Sequence, residues 1–333
     1  MCAWVGGWLK QHSRCEWLMP IPVSVIRKIY NLAPYLKVLM LLPSGIIKTT
    51  AMKKIIVAVD FSTGSIHALR YAIAIANKSN SDIEMVWVDK TASPESIYSI
   101  SVEDYRTEAV KRFNELVEQY QPLFTGGKLE YKLRKGKIYL EIVTMAKRRQ
   151  ADLIVMGSHG VSGYEQFWIG SNANRVISNA GCPVITVNSR FKLKTEIKKI
   201  VVPIDHYNNT LLKLPFTADF SKLYQSELHL TGVYATTMRT MHKRIENFLD
   251  KARKYLDKAN VPFHVEYLHS TDITKSTIEY AQSIDADLIS IMTEQDDNGL
   301  LGPCAQQIVN HSPIPILSMH EDDAKKSKSS LFE

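Results

Sequence analysis

Cysteine is scarce in this chain of 333 residues: Cys2, Cys15, Cys182 and Cys304, with no CxxC and no paired Cys/His spacing. That excludes a disulfide framework and a zinc site, and it makes a reducing cytosol the expected compartment. Long apolar runs are missing too. The longest near the start, VLMLLPSGII, is too short to span a bilayer and contains Pro43 and Gly45. It also lacks the clean apolar centre and small-residue cleavage site of a secretory signal. An excess of one charge is absent from most of the chain. The net charge is +7, but residues 1–51 hold six bases (Lys10, Arg14, Arg27, Lys28, Lys37 and Lys48) against one acid, Glu16, leaving +2 for the rest. The folded part therefore has no electrostatic footprint for nucleic acid. Residues 1–51, basic and bearing Trp and Leu, have the make-up of a segment that rests on a membrane surface. The favoured reading is an upstream extension outside the fold, because Met52 opens MKKIIVAVD like a natural beginning.

What is present is a duplication. KKIIVAVD at 53–60 returns as KKIVVPID at 198–205, ADLIVMG at 151–157 as ADLISIM at 286–292, and IGSNANRVISNAGCPVITV at 169–187 as LGPCAQQIVNHSPIPILSM at 301–319. A period this long is no solenoid. Within each copy, short β-branched runs alternate with helical patterns, which predicts an α/β fold with a parallel sheet flanked by helices. In the first copy strands are expected near 54–59, 82–88, 129–134, 152–156 and 183–187, with helices near 64–78, 102–120, 137–149 and 171–180. In the second, strands are expected near 199–204, 227–233, 263–268, 287–291 and 314–318. The first domain is read as 52–190 and the second as 198–320. A polar linker, SRFKLKTE, runs between them, and 321–333 form a disordered tail.

The informative stretch is MGSHGVSGYEQFWIGSNANRV, where Gly157, Gly160, Gly163 and Gly170 lie between a strand and a helix. In an open parallel sheet, ligands collect beyond the carboxyl ends of strands where the winding reverses. Glycines there let backbone N–H groups approach an anion, and Gly170-Ser171 falls at a helix start that favours phosphate. The competing reading is a loop whose glycines serve turning alone. Other phosphate motifs do not compete: there is no G-x-x-x-x-G-K-[ST], and DFSTG after the first strand is no GxGxxG.

Gly157-x2-Gly160-x9-Gly170-Ser171, with IIVAVDFSTGSIHALRYAIAIA before it and CPVITV after it, resembles the ATP-binding signature of the universal stress protein family. The resemblance covers roughly 53–188, with a degenerate repeat to about 319. It implies two tandem doubly wound α/β domains, each with a five-stranded parallel sheet in the order 3-2-1-4-5. It also implies ATP, with or without magnesium, across strands one and four. By position, Asp60 is expected at the adenosine, Val88 at adenine through its backbone, and Met156 and Gly157 beside ribose and phosphates. Gly160, Gly170, Ser171 and Asn172 are expected on the phosphates. His159 lies in the loop as either a ribose or phosphate neighbour or a solvated histidine. Two departures stand out: Ala58 replaces a frequent proline, and Ala173 replaces a second hydroxyl.

The second copy is expected to have lost its site. Gln295 to Gly302 spans seven positions where Gly160 to Gly170 spans ten. Thr293 and Asp296 occupy the place of the first glycines. Glu294, Asp296 and Asp297 bring three carboxylates that repel phosphate, and Pro303 replaces the serine. The resulting expectation is a cytosolic ATP-binding stress-response protein with one site per chain, no metal site, no catalytic base and at most slow hydrolysis. The alternatives are a nucleotide-independent interaction module and an adenylyl-transfer enzyme, which would need an SGG-type or HxGH-type element not found here. Single-copy relatives are expected to pair through their last strands, so CPVITV and IPILSM are expected to pair within the chain, with a homodimer of whole chains as a further option.

Overall fold

The computed structural model describes residues 52–89, 102–158, 169–192, 194, 196–294 and 301–321. In the first half, β1 (Lys54–Ala58), β2 (Asp82–Asp89), β3 (Leu129–Lys135), β4 (Leu153–Gly157) and β5 (Val184–Val187) alternate with helices. These are α1 (Thr63–Ser79), α2 (Val102–Tyr120), α3 (Ile138–Arg149) and α4 (Ser171–Asn179). The second half repeats the pattern with β6 (Lys199–Ile204), β7 (Glu227–Tyr234), β8 (Phe263–His269), β9 (Leu288–Thr293) and β10 (Ile316–His320). Its helices are α5 (Leu214–Tyr224), α6 (Arg239–Ala259), α7 (Ile273–Ser283) and α8 (Pro303–His311).

The two halves share one ten-stranded sheet, ordered β3-β2-β1-β4-β5-β10-β9-β6-β7-β8. Each half is thus wound 3-2-1-4-5. All pairings within a half are parallel. The seam is antiparallel, with Ile316 opposite Thr186, Leu317 opposite Ile185 and Ser318 opposite Val184. Strands buried on both faces read as continuous apolar runs, as in KIIVA and VITV. Two apolar layers result. One face carries Ile55, Val57, Ile185, Ile200, Val202 and Leu317; the other carries Ile56, Ile154, Val184, Val201, Ile289 and Ile316. Each layer runs through both halves.

β10 begins two residues later than its sequence pattern suggested, and Pro315 is the physical reason. Proline has no N–H for a ladder, so it stands before the paired stretch and only accepts, taking the Ile289 N–H at 3.0 Å. Pro183 does the same before β5, accepting from Ile154 N at 3.0 Å.

The repeated KK and ADL motifs explain each other. The Asp152 Oδ2 accepts the backbone N–H groups of Lys53 (2.7 Å) and Lys54 (3.0 Å). Asp287 Oδ2 repeats this with Lys198 (2.7 Å) and Lys199 (3.0 Å). Each aspartate therefore fixes the start of its half's first strand. Asp287 is buried and also faces Lys194 Nζ at 2.8 Å. Asp287→Ala leaves two strand N–H groups without their acceptor and takes from Lys194 one of two carboxylate partners, Asp285 remaining at 2.9 Å, so it is expected to lower stability by about 2 kcal/mol. Urea unfolding read by circular dichroism measures this.

Helix ends are also legible locally. Ser62 caps α1 by accepting the Ser65 N–H at 3.2 Å. Asn80, Gln150, Gln225 and Asn260 close four helices in the left-handed conformation, a place more often given to glycine.

Candidate nucleotide site

Winding reverses between β1 and β4, which lie side by side with Ile55 opposite Leu153 and Val57 opposite Val155. Their carboxyl ends bring Asp60 and Met156-Gly157 to one edge, with β2 and Val88 next to β1. Asp60 is half-buried. Its Oδ1 accepts from Ser62 N (3.0 Å) and Ser62 Oγ (2.5 Å), while its own N–H donates to Ser65 Oγ at 3.3 Å. That carboxylate shapes the turn into α1 through Phe61, whose φ is 62°.

Val88 and Met156 have their side chains in the apolar layer beneath the edge. Only their backbone groups are left to meet a ligand. Gly157 is buried at the end of β4, opposite Val187. Gly170 precedes α4 with φ −57° and ψ 139°, a conformation open to any residue, and has no side chain of its own to cap the helix. Its N–H donates to Ser158 O at 2.9 Å, and its carbonyl accepts the Asn174 N–H at 3.0 Å. Ser171 is exposed and Asn172 half-buried in the first helical turn. Ala173 is buried in the apolar layer. His159, Gly160 and Gly163 lie outside the described residues.

The structure thus gathers Asp60, the ends of β2 and β4, Gly170, Ser171 and Asn172 at one edge. A helix start entered through glycine carries its first N–H groups and the positive end of its dipole at this edge. The Ser158 carbonyl, which holds Gly170 in place, was not foreseen; a backbone acceptor leaves no mark in residue type.

The second half keeps a glycine before its last helix, with the same kind of backbone bond, but differs around it. Asn209 Nδ2 donates to Glu294 Oε1 at 2.9 Å, bridging the turn after β6 to the segment after β9. Gly302 donates to Glu294 O at 2.8 Å, and a Cβ on it would meet that oxygen at 3.3 Å, so this glycine serves close packing. Pro303 lacks an N–H at the start of α8. Asp296 and Asp297 lie outside the described residues. Where the first half has Ala68, Ala72 and Val155, the second has Lys213, Thr217 and Ser290, all buried. Thr217 and Ser290 share a hydrogen bond of 2.7 Å, and Lys213 Nζ donates to Thr210 O at 2.6 Å. Beyond Val233, the counterpart of Val88, Tyr234 stacks on His269 at 5.0 Å and meets His242 edge-on at 4.8 Å.

Lys213 is 2% exposed. Burial pushes its ammonium from the ordinary 10.5 down to about 8, with the Asp205 carboxylate opposing the shift. Between those values the unfolded chain binds more protons than the folded one, so stability rises with pH over that window. Lys213→Met, which has no group to titrate, is expected to flatten this rise. Denaturant unfolding from about pH 7 to 10.5 checks it.

Among the described residues, no group of three or more His, Cys, Asp or Glu side chains is placed to hold a metal ion. No described helix is long and apolar enough to cross a membrane.

Fold and site define a class: a duplicated, doubly wound α/β protein with a switch point in each half, the second spanned by the Asn209–Glu294 hydrogen bond. The family model described as "Universal stress protein family" matches residues 52–188. A universal stress protein of Methanocaldococcus jannaschii is 34% identical over 144 residues, covering 40% of this chain and 81% of that protein. A solved universal stress protein from Archaeoglobus fulgidus superposes with a TM-score of 0.65 at 16% identity, over 80% of this chain and 98% of that one. A universal stress protein solved in complex with cAMP matches 38% of this chain and 98% of that chain, at 16% identity and a TM-score of 0.33. The chain belongs to the universal stress protein family, as a tandem member.

Proposed function

We propose that the chain binds one ATP in its first half and acts in the cytoplasm as a regulatory or protective protein of the stress response. The observation that carries this reading is the start of α4. Its preceding residue has no side chain to cap it, its backbone conformation does not require glycine, and it sits at the β1–β4 switch point. A missing Cβ that the backbone does not need leaves room for a ligand to approach the N–H groups of the first turn.

On this reading Gly170, Ser171 and Asn172 hold phosphates, together with Gly160 and His159 of the loop. Met156 and Gly157 border the ribose through their backbone, Val88 reads adenine through its backbone, and Asp60 lies at the adenosine. Magnesium, where it accompanies ATP, would ride on the phosphates, since Asp60 Oδ1 already takes two hydrogen bonds from Ser62. The same commitment leaves Asp60 badly placed as a general base, in keeping with binding and at most slow hydrolysis. The second half, with Pro303, the Asn209–Glu294 bridge and buried Lys213, would act as a structural partner joined through β5 and β10.

A nucleotide-independent interaction module is the second reading. Gly302 favours it, because there the glycine answers to packing against Glu294, and Gly170 makes a similar bond to Ser158.

Calorimetric titration of the full chain with ATP is expected to give a stoichiometry near one, with cAMP as the competing ligand to compare. Two equivalent sites would contradict the loss of the second crevice. No heat, and no nucleotide released from purified protein on denaturation, would favour the interaction module.

A further inference from the structure

Ile169 immediately precedes Gly170 and is 7% exposed. Its N–H donates to Oδ1 of Asn310, which lies on α8 in the second half. Leu301 stands in the same relation to Gly302, and its N–H donates at 3.2 Å to Oδ1 of Asn174, on α4 in the first half. Both asparagines are only 6% exposed. The two donors are aligned positions of the two copies, but the two acceptors are not. In the repeat, Asn174 corresponds to Gln306, and Asn310 to Ser178, one helical turn further on. The halves therefore clasp each other's loop ends through separately placed residues, and neither bond follows from the duplicated pattern.

We propose that Asn310 is a positioning residue of the first half's phosphate-binding end, so that the second half completes the site without touching the ligand. The inference rests on the ATP reading above. Two consecutive N–H groups, of Ile169 to Asn310 and of Gly170 to Ser158 O, fix how the chain enters α4. That entry sets where the N–H groups of Ser171 and Asn172 point. Binding an anion through fixed dipoles depends on their being aimed beforehand. Without the Asn310 oxygen, a buried N–H loses its partner and is satisfied only if the loop end moves. Coupling is reciprocal: a ligand that holds Gly170 and Ser171 in this geometry also favours the closed seam.

Three full-length variants test this: Asn310→Leu removes the acceptor at similar volume, Asn310→Asp keeps an acceptor oxygen, and Asn174→Leu cuts the opposite bond. Asn310→Ala replaces the leucine variant if the latter does not fold. Affinities for ATP and for adenosine are measured by calorimetry, and hydrogen exchange at the Ile169 amide is measured without nucleotide. Asn310→Leu is expected to weaken ATP on the order of tenfold, within the usual range of coupling between sites. Adenosine affinity should stay nearly constant, and Ile169 should exchange faster. Asn310→Asp should restore most of the ATP affinity, and Asn174→Leu should leave it nearly unchanged. Equal losses of ATP and adenosine, or equal losses from Asn310→Leu and Asn174→Leu, would reduce the contact to general seam stability and overturn the positioning role. Unchanged exchange at Ile169 overturns the clasp itself, whatever the ligand. A wild-type chain that binds no ATP overturns the ligand reading and the positioning role with it, whereas binding unaffected by Asn310→Leu overturns the positioning role alone.

Discussion

Gly170→Val should cost the protein at least about tenfold in ATP affinity while leaving it folded. The native φ of −57° and ψ of 139° suit valine, so no backbone strain is introduced. Valine at a helix N-cap costs about 1 kcal/mol relative to glycine, which a domain of this size tolerates. The added β-branched bulk lies where phosphate and backbone would meet, and overfilling a close contact typically costs about 1–3 kcal/mol. Ser171→Ala is the graded companion. It removes one exposed hydroxyl and should cost about 0.5–1.5 kcal/mol of binding, the range of a neutral hydrogen bond. Calorimetric titration gives both affinities, and circular dichroism shows whether the fold is kept. Valine with intact ATP affinity would remove phosphate from this edge. Valine that melts the protein instead would make Gly170 a packing glycine, like Gly302.

Cutting the chain at 52–190 is expected to have the largest effect on behaviour in solution. β5 lies in the middle of the ten-stranded sheet, and β10 covers its outer edge. Ile185 and Leu317 are fully buried opposite each other, while Val184, opposite Ser318, and Ile316, opposite Thr186, are buried as well. Uncovering such side chains forfeits roughly 1.5–3 kcal/mol each, and it leaves a row of unpaired N–H and C=O groups beside them. The isolated first half should form dimers through β5 or aggregate. Light scattering at tens of micromolar decides it, and a stable monomer there would show that the seam contributes little.

The sequence displayed the alternation of strands and helices because each strand is a short, doubly buried β-branched run. It could not display their order by pattern alone: the order 3-2-1-4-5 came from the resemblance, and alternation is compatible with other windings. The glycine loop stood out because Gly157, Gly160, Gly163 and Gly170 crowd between a strand and a helix; that the last of them is not required by its backbone is visible only in the fold. The clasp of Asn174 and Asn310 was invisible, since an asparagine inside a helix pattern reads as a solvated residue until the opposite half is in place. Lys213 misleads for the same reason. Among Leu211, Leu212 and Leu214 it looks like the polar side of an amphipathic helix, yet it is buried against Thr210. Asp152 and Asp287 read only as part of a repeated motif; their bonds to the lysine N–H groups join residues about a hundred positions apart.

The antiparallel seam also sets the valency of the chain. A single-copy protein with a sticky last strand has one free coupling site and must find a second molecule to fill it. Here that site is filled by the same polypeptide, in a fixed one-to-one ratio that neither dilution nor changing expression can alter. Among the described residues, the sheet's two outermost strands are β3 and β8, at opposite ends. β3 carries Lys132, Arg134 and Lys135, and β8 carries His264, Glu266 and His269. Polar and charged residues on edge strands discourage further strands from adding. With both seam strands in one polypeptide, their pairing needs no encounter between molecules, and the two halves stay joined however far their sequences differ.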